Sequence, residues 1–484
     1  MAEKKFRTFL TVIALLNFSI GFSQNYSETA FMFSRQQPTG SARILGLGGA
    51  KTALGGDYTA GFGNPAGLGM FNRSEVTFST ALTNHTIDAN YLGTPSSQNR
   101  TVFNIPGLSL AWHMPKDKGG FLGGTFSVSF ARMNDFNQTL LYSGKNTNNS
   151  IVDYFIDQAY GATTSQFQKG GVNYNSPTGL AYYNYLIGAK SILKPPGPNT
   201  EYFTDAGYPE KQQEEIQTSG ASNQWSFAYG ANISDKFYFG GGVGFSSLKY
   251  KSQKVFTENF LSDTLQYLQL NETLSVRGSG VNLTLGTIIR PVDHLQIGLS
   301  YSTPTFYNMS ETYEASMGTR WNHFDYYGDK STYLDDNTGN PETTDIVTSD
   351  YTLTLPGKVS AGATFLSKFG FLTADVELTN PAKAKYNSTT SGVSFSQDND
   401  QIKNVYRSVV NYRIGAEGRY DKYRLRLGYG IQANAYNKNI AANNQITTLS
   451  AGVGMRSKTF YIDFAVINSQ SKKYPYQPYT FFDG

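Results

Sequence analysis

The feature that most constrains this chain is the spacing between its alternating runs. From Ser74 onward, apolar and polar residues alternate with period 2 in about thirteen segments: 74–92, 101–114, 120–134, 224–233, 237–252, 272–290, 295–314, 350–366, 370–386, 404–420, 423–436, 443–456 and 459–470. After every second segment the link is very short: Pro115–Gly119, Ser234–Lys236, Pro291–His294, Ser367–Phe369, Asp421–Lys422 and Ser457–Lys458. The other links are usually longer, up to Asp135–Asn223. An up-and-down membrane barrel places short turns on its periplasmic rim and long loops outside. A sandwich has no reason to alternate so regularly. Single-chain bacterial barrels have an even strand count. The expectation is therefore an all-β, antiparallel transmembrane β-barrel of about 14 strands. Its last strand is missing from what can be read, and Lys472–Gly484 reads as an outer loop.

Composition agrees. Aromatics reach 14 %, charged residues only 16 %, and mean hydropathy is −0.38. Past residue 23 no apolar run approaches the ~18 residues of a membrane helix. At 484 residues the chain could be two or three ordinary domains or one large barrel. Cysteine is absent, which excludes disulfides, thiolate metal sites and a Cys nucleophile. Residues 1–23 read as a signal peptide: Lys4, Lys5 and Arg7, then an apolar stretch Leu10–Ile20, then Gly21 and Ser23 before a cut at Gln24. The apolar stretch is short and ends in polar residues, so it does not read as an anchor. The net charge of +4 falls to about +2 without the leader, no field for nucleic acid.

Residues 24–73 form an N-terminal arm and a glycine-rich segment, and 74–484 the barrel, with a long extracellular loop at 135–223. Ser41–Phe71 carries Gly46, Gly48, Gly49, Gly55, Gly56, Gly61, Gly63, Gly67 and Gly69. Such a segment cannot build a core of its own. It can stay ordered if enclosed, and it reads as a hatch in the lumen. Gly61-Phe-Gly63-Asn-Pro-Ala66 matches a dinucleotide pattern, but Pro65, Gly67 and Gly69 forbid the helix that motif needs.

Strand alternation assigns the faces. Leu425, Leu427, Tyr429 and Ile431 oppose Arg424, Arg426, Gly428 and Gly430. An Arg facing lipid costs ~2–4 kcal/mol at the midplane, so the arginines face inward. The same phase puts Asp375, Glu377, Arg413 and Glu417 on that wall. The expectation is a lumenal ion-pair ladder of Asp375, Glu377, Arg413, Glu417, Arg424 and Arg426; solvated charges are the alternative.

In the long loop, Ser150 can cap a helix at 151–160, and a second helix is expected at 180–193. Phe155, Ile156, Tyr160, Tyr183, Leu186 and Ile187 form a candidate apolar ligand surface; a closed minicore over the barrel mouth is the alternative. His85, His113, His294 and His323 lack metal-ligand spacing, and no nucleophile–base pair can be named, so no enzyme is expected. Asp335–Asn340 and Gln397–Asp400 lack a complete Ca²⁺ loop. No metal or other cofactor is expected.

Ser41-Ala-Arg43, Gly46-Leu-Gly48-Gly49-Ala50, Gly55-Gly56-Asp57 and Asn64-Pro65-Ala66-Gly67-Leu68, between a leader and a first strand, resemble the long-chain fatty-acid transporter (FadL/TodX) family of Gram-negative outer membranes. The resemblance implies a fourteen-stranded barrel with hatch residues Gly46, Gly48, Gly49, Asp57, Gly63, Asn64, Pro65 and Ala66. It further implies outer-membrane transport of hydrophobic small molecules, bound among apolar loops and released sideways at a kink in the third strand. Gly119-Gly120 and Gly123-Gly124 could supply that kink, as could Pro106-Gly107 in the second strand. The implied partners are a hydrophobic small-molecule ligand and outer-membrane lipid. The alternative function is a non-transporting barrel subunit of an outer-membrane secretion or assembly complex.

Overall fold

The structure, a computed structural model, describes residues 26–190, 201–390, 392–472 and 476–481. The leader expected at 1–23 lies outside the described residues. One antiparallel sheet of nineteen segments makes the wall. Three of these, Gln138–Gly144, Tyr333–Asp336 and Glu342–Thr343, are short additions above it. Three rungs are each two segments broken at a proline. The thirteen rungs are β1 (Glu75–Tyr91), β2 (Thr94–Lys118), β3 (Phe121–Asp135), β4 (Pro209–Ile233), β5 (Phe237–Phe260) and β6 (Leu265–Val292). Then come β7 (Leu295–Ser302 and Thr305–Asp325), β8 (Val347–Leu355 and Lys358–Ser367) and β9 (Gly370–Thr379 and Lys385–Ser388). The last are β10 (Val409–Tyr420), β11 (Tyr423–Gln432), β12 (Ile446–Arg456) and β13 (Tyr461–Ser471). Each pairs with the next. Among the described residues no backbone ladder joins β13 to β1, but the Tyr461 hydroxyl donates to Glu75 at 2.8 Å and lies 2.6 Å from the Thr77 hydroxyl. Arg73 donates to the Lys458 carbonyl.

The wall departs from the sequence reading in length. β2 begins at Thr94, not 101, because Leu92 and Gly93, both at positive φ, make a two-residue hairpin turn. β4 begins at Pro209, not 224, and β5 runs to Phe260. These extensions stand above the lipid-facing zone, where no apolar face marks the period.

That zone is plain on the exterior. Phe78, Trp112, Phe239, Leu285, Leu425, Leu427 and Phe464 are all exposed, Leu425 at 60 % and Leu427 at 59 %. Arg426 between them is 0 % exposed. A barrel with an apolar outside and a polar inside is a transmembrane barrel. The Ser41–Phe71 segment lies within it, touching rungs from β2 round to β12.

Above the wall, α2 (Ile151–Ala159) is closed by a capping box of Ser150 and Asp153. α3 (Pro177–Tyr183) starts earlier and ends earlier than the helix expected at 180–193; Ser176 caps it and Pro177 occupies its first turn. Residues 191–193 of that expectation lie outside the described residues. Inside the upper lumen lies an N-terminal helix, α1 (Tyr26–Ser34).

Candidate functional site

The hatch is three capped turns joined by side-chain hydrogen bonds. Ser41 caps the turn Ala42–Leu45, and its hydroxyl donates to Asp57 at 2.6 Å. Asp57 caps Tyr58–Gly61 by accepting from the Thr59 amide at 3.0 Å. Asn64 caps Pro65–Met70, and its amide donates to the carbonyls of Thr52 at 2.6 Å and Thr287 of β6 at 3.2 Å. Pro65 takes the first position of that turn, and Ala66 is buried behind it. Gly48 and Gly49 sit at positive φ, where a side chain would be strained. Gly46 packs on Gly452 of β12, and Gly63 packs beside Lys51.

The wall answers with glycines of its own. Gly230, Gly240 and Gly286 are cross-strand partners on β4, β5 and β6. Gly298 pairs with Gly362 across β7 and β8, and Gly415 with Gly428 across β10 and β11. A Cβ at Gly240 would lie 2.5 Å from the Pro65 carbonyl oxygen, and one at Gly415 2.7 Å from that of Leu47. At Gly428 it would run into the Gly48 amide and the Leu47 carbonyl carbon. The hatch thus meets the barrel backbone to backbone. The sequence reading missed this girdle, although its signal is present: each glycine falls on the inward phase of its strand.

The predicted charges form two clusters rather than one ladder. Arg413 pairs with Glu377 at 2.9 Å, and Lys358 is 3.7 Å from the same carboxylate. Arg426 is held by Glu417 at 2.8 Å and by Asp463 of β13 at 2.6 Å. Asp375 joins neither cluster; it accepts the backbone amides of Lys51 at 2.7 Å and Thr52 at 2.8 Å, so it grips the hatch. Arg424 also falls outside: its guanidinium donates to the carbonyls of Asp421 and Tyr423, at the rim turn. The ladder fails as a single row because register sets Asp375 opposite Arg413, while the hatch amides reach its carboxylate first. Arg43, part of the Ser41-Ala-Arg43 motif but not of the expected ladder, enters from the hatch. It donates to Gly55 and Gly56 carbonyls and lies 3.9 Å from Glu417.

The loop residues proposed as a ligand surface are mostly spent. Phe155, Leu186 and Ile187 are buried in one cluster with Leu265, Leu268 and Met317. Ile156 packs against that cluster, Tyr183 is half-buried, and Tyr160 alone is exposed. The reading as an open surface is corrected to a closed minicore, because the upward extensions of β5–β7 supply apolar partners. Beneath it Glu258, on the part of β5 above the lipid-facing zone, accepts from the Ile151 amide at 2.9 Å, Gln212 at 2.6 Å and the Ser150 hydroxyl. Burial outweighs these donors and pushes its carboxyl up to about 7.

Between hatch and minicore the lumen holds an aromatic and aliphatic cluster with a buried carboxylate in it, Glu311, which accepts from the Tyr26 and Tyr351 hydroxyls at 3.1 and 2.8 Å. Ala30 and Phe33 of α1 are buried among Leu248, Val276, Tyr307, Met309 and Leu353, and Phe31 stacks on Tyr406 at 4.7 Å. Below α1 is a cavity of about 70 Å³, bordered by Phe31, Phe62, Lys358 and Glu377 and by the breaks at Thr303, Pro356 and Pro381.

The wall itself is split at one place. β2 pairs with β3 only from Gly107–Ala131 down to the rim. Above that point β2 pairs with β1 alone, while β3 continues along β4 to Asp135–Ala221. Pro106, which has no N–H to give, stands where the ladder ends. Tyr58, Phe62 and Met133 pack behind the split, and a depression of about 360 Å³ opens outside it. Of the two kink candidates, the Pro106-Gly107 step marks the interruption. Among the described residues no cluster of three acids and histidines could hold a metal ion.

No family model and no curated relative matches the chain. The chain is similar to FadL-type structures. One is a Pseudomonas aeruginosa FadL homologue, at TM-score 0.49 and 12 % identity, covering 90 % of this chain and 91 % of that one. Others are the Ralstonia pickettii toluene transporter TbuX (0.48, 14 %, 90 % and 93 %) and the Pseudomonas putida toluene transporter TodX (0.47, 12 %, 90 % and 93 %).

Proposed function

We propose that this protein resides in the outer membrane and admits hydrophobic small molecules, long-chain fatty acids or similar, which leave sideways through the wall. The observation that carries the reading is the pairing of a fixed hatch with an interrupted ladder. The glycine girdle blocks the axial path, and the β2–β3 ladder stops at Pro106 just above it. The space now filled by Ala30 and Phe33 of α1, largely walled by aromatic and aliphatic side chains, is what a solute would use once α1 shifts.

The chain has no cysteine, so a cross-link is clean. Val102→Cys with Asn137→Cys, both lining the outer depression, can be bridged by a short bis-maleimide. Uptake of labelled fatty acid or toluene by cells relying on this protein then falls roughly tenfold or more, while ligand binding by the purified protein persists. Unchanged uptake overturns the lateral route.

A second reading, a non-transporting barrel subunit of an outer-membrane complex, is favoured by the filled lumen: a cavity of about 70 Å³ is too small for a long acyl chain. Saturable binding of no apolar ligand, with or without Ser41–Phe71, would decide for it.

A further inference from the structure

The outward faces of β4–β7 can be followed upward row by row. Trp225, Phe245, Val281 and Phe306 are cross-strand neighbours and all exposed; they form the top of the apolar exterior there. The next outward row is Asn223, Ser247, Ser279 and Asn308. The row after that is Ala221, Lys249, Arg277 and Ser310, and Lys251 follows Lys249 on the same face. Lys249 and Arg277 are thus direct cross-strand partners of like charge, an arrangement that disfavours the sheet. Lys249, Lys251 and Arg277 are exposed, and no ion pair or hydrogen bond engages their side chains among the described residues. The nearest outward acids are Asp135, which pairs with Ala221 in the same row and is held by Arg132 at 3.0 Å, Asp350, on the far side of Ser310, and Glu314 and Glu215 in higher rows.

Position explains what composition does not. Lys249 lies four residues above Phe245, about 13 Å along the strand. That is the height of lipid head groups on the outer side. Lys249 also borders the depression outside the wall split, opposite Phe103 and beside Arg132 and Asn223. Asn223 Oδ1 is buried there without a hydrogen-bond partner, while the Arg132 guanidinium donates to Asp135 at 3.0 Å. A cationic row, a ring of serine and asparagine below it and an apolar wall beneath together match one kind of partner.

We propose that Lys249, Arg277 and Lys251 bind the phosphate groups of a phosphorylated outer-leaflet glycolipid whose acyl chains lie on Phe245 and Val281. The site rests on the outer-membrane reading above. It gives the unfavourable like-charge pair a reason, because a shared anion neutralises both cations.

The test uses the full chain in mixed micelles with fluorescent bis-phosphorylated lipid A, its dephosphorylated form and inorganic phosphate. The phosphorylated lipid is expected to bind best. Lys249→Gln with Arg277→Gln weakens it roughly thirtyfold and Lys251→Gln alone about fivefold, from the attraction of single basic residues to an anionic lipid surface. Lys422→Gln, at the opposite rim, changes nothing. Equal binding of both lipids, an unaffected double variant, or competition by inorganic phosphate as strong as that by the lipid overturns the site. Fractionation away from the outer membrane overturns the site together with the localisation. Absence of solute uptake by the unaltered protein, with lipid binding intact, overturns transport and leaves the site standing.

Discussion

The hatch and the outer minicore fill the same barrel by opposite means. The hatch docks by removing side chains: Gly240, Gly298, Gly415 and Gly428 let two backbones touch, and buried charges lock the contact. The minicore docks by adding them: Phe155, Phe167, Leu186 and Trp321 interdigitate over a buried carboxyl. The difference teaches that a seal and a cap have different tolerances. Backbone contact has no rotamer that can yield, whereas a side-chain core relaxes around a loss.

The sharpest way to break this contrast is to place bulk in the girdle. Gly428→Val directs a branched side chain at the Gly48 amide and the Leu47 carbonyl carbon. Overpacking commonly costs about 1–3 kcal/mol where side chains can shift, and here only backbone can move. The expected result is an undocked hatch, read as leakage of small polar solutes and loss of protection of 46–56 in hydrogen exchange. Gly418→Ala is the control, since its nearest atom would be 4.0 Å away. An intact seal in the valine variant would refute the girdle.

Next in size is Arg426. It is wholly buried between Glu417 and Asp463, so Arg426→Ala leaves the Asp463 carboxylate without a cation, while Glu417 keeps Arg419 at 2.8 Å. Breaking a buried pair in this way costs about 3–5 kcal/mol. Arg424→Gln, which releases only two carbonyls at the rim, is expected to leave the unfolding midpoint almost unchanged. Similar shifts for the two variants would mean that position within the wall does not matter.

These two arginines also show what the sequence could carry. Their inward phase was legible from the leucines around them, and so were the rungs, the tight turns and the capped helix at Ser150. Partners were not legible. Asp463 reaches Arg426 only because β12 between them has Gly452 and Gly454 at that height, and Arg43 approaches only once the hatch is enclosed. Strand phase makes Asp375 an ion-pair candidate, yet phase says which way a side chain points, not which donor arrives first. The apolar loop residues show the same limit: periodicity found a face on α2 but could not see β5–β7 rising to cover it.

Phe155→Ala tests the other half of the comparison. It removes a fully buried ring from the minicore, at about 3–5 kcal/mol for such truncations. The loss is expected to stay local. Exchange across 151–159 accelerates, while the hatch amides and the barrel's thermal transition are unmoved. If the hatch loosens as well, seal and cap are one cooperative unit and the contrast fails.

The smallest effect expected is one of pH, and it belongs to the minicore. Glu258 has its carboxyl pushed up to about 7 by burial under α2, against about 4.3 for an exposed glutamate. Between those values the opened loop layer has released its proton and the closed one has kept it. Stability of the closed layer is therefore full below about pH 4, falls as pH rises toward 7, and is flat beyond, a change of order 3 kcal/mol across the window. Hydrogen exchange of 151–159 should be slower at pH 5 than at pH 8 after correction for the intrinsic rate, and Glu258→Gln should flatten the dependence. A minicore that tightens with rising pH would show that the Ile151 amide and Gln212, not burial, govern this carboxyl.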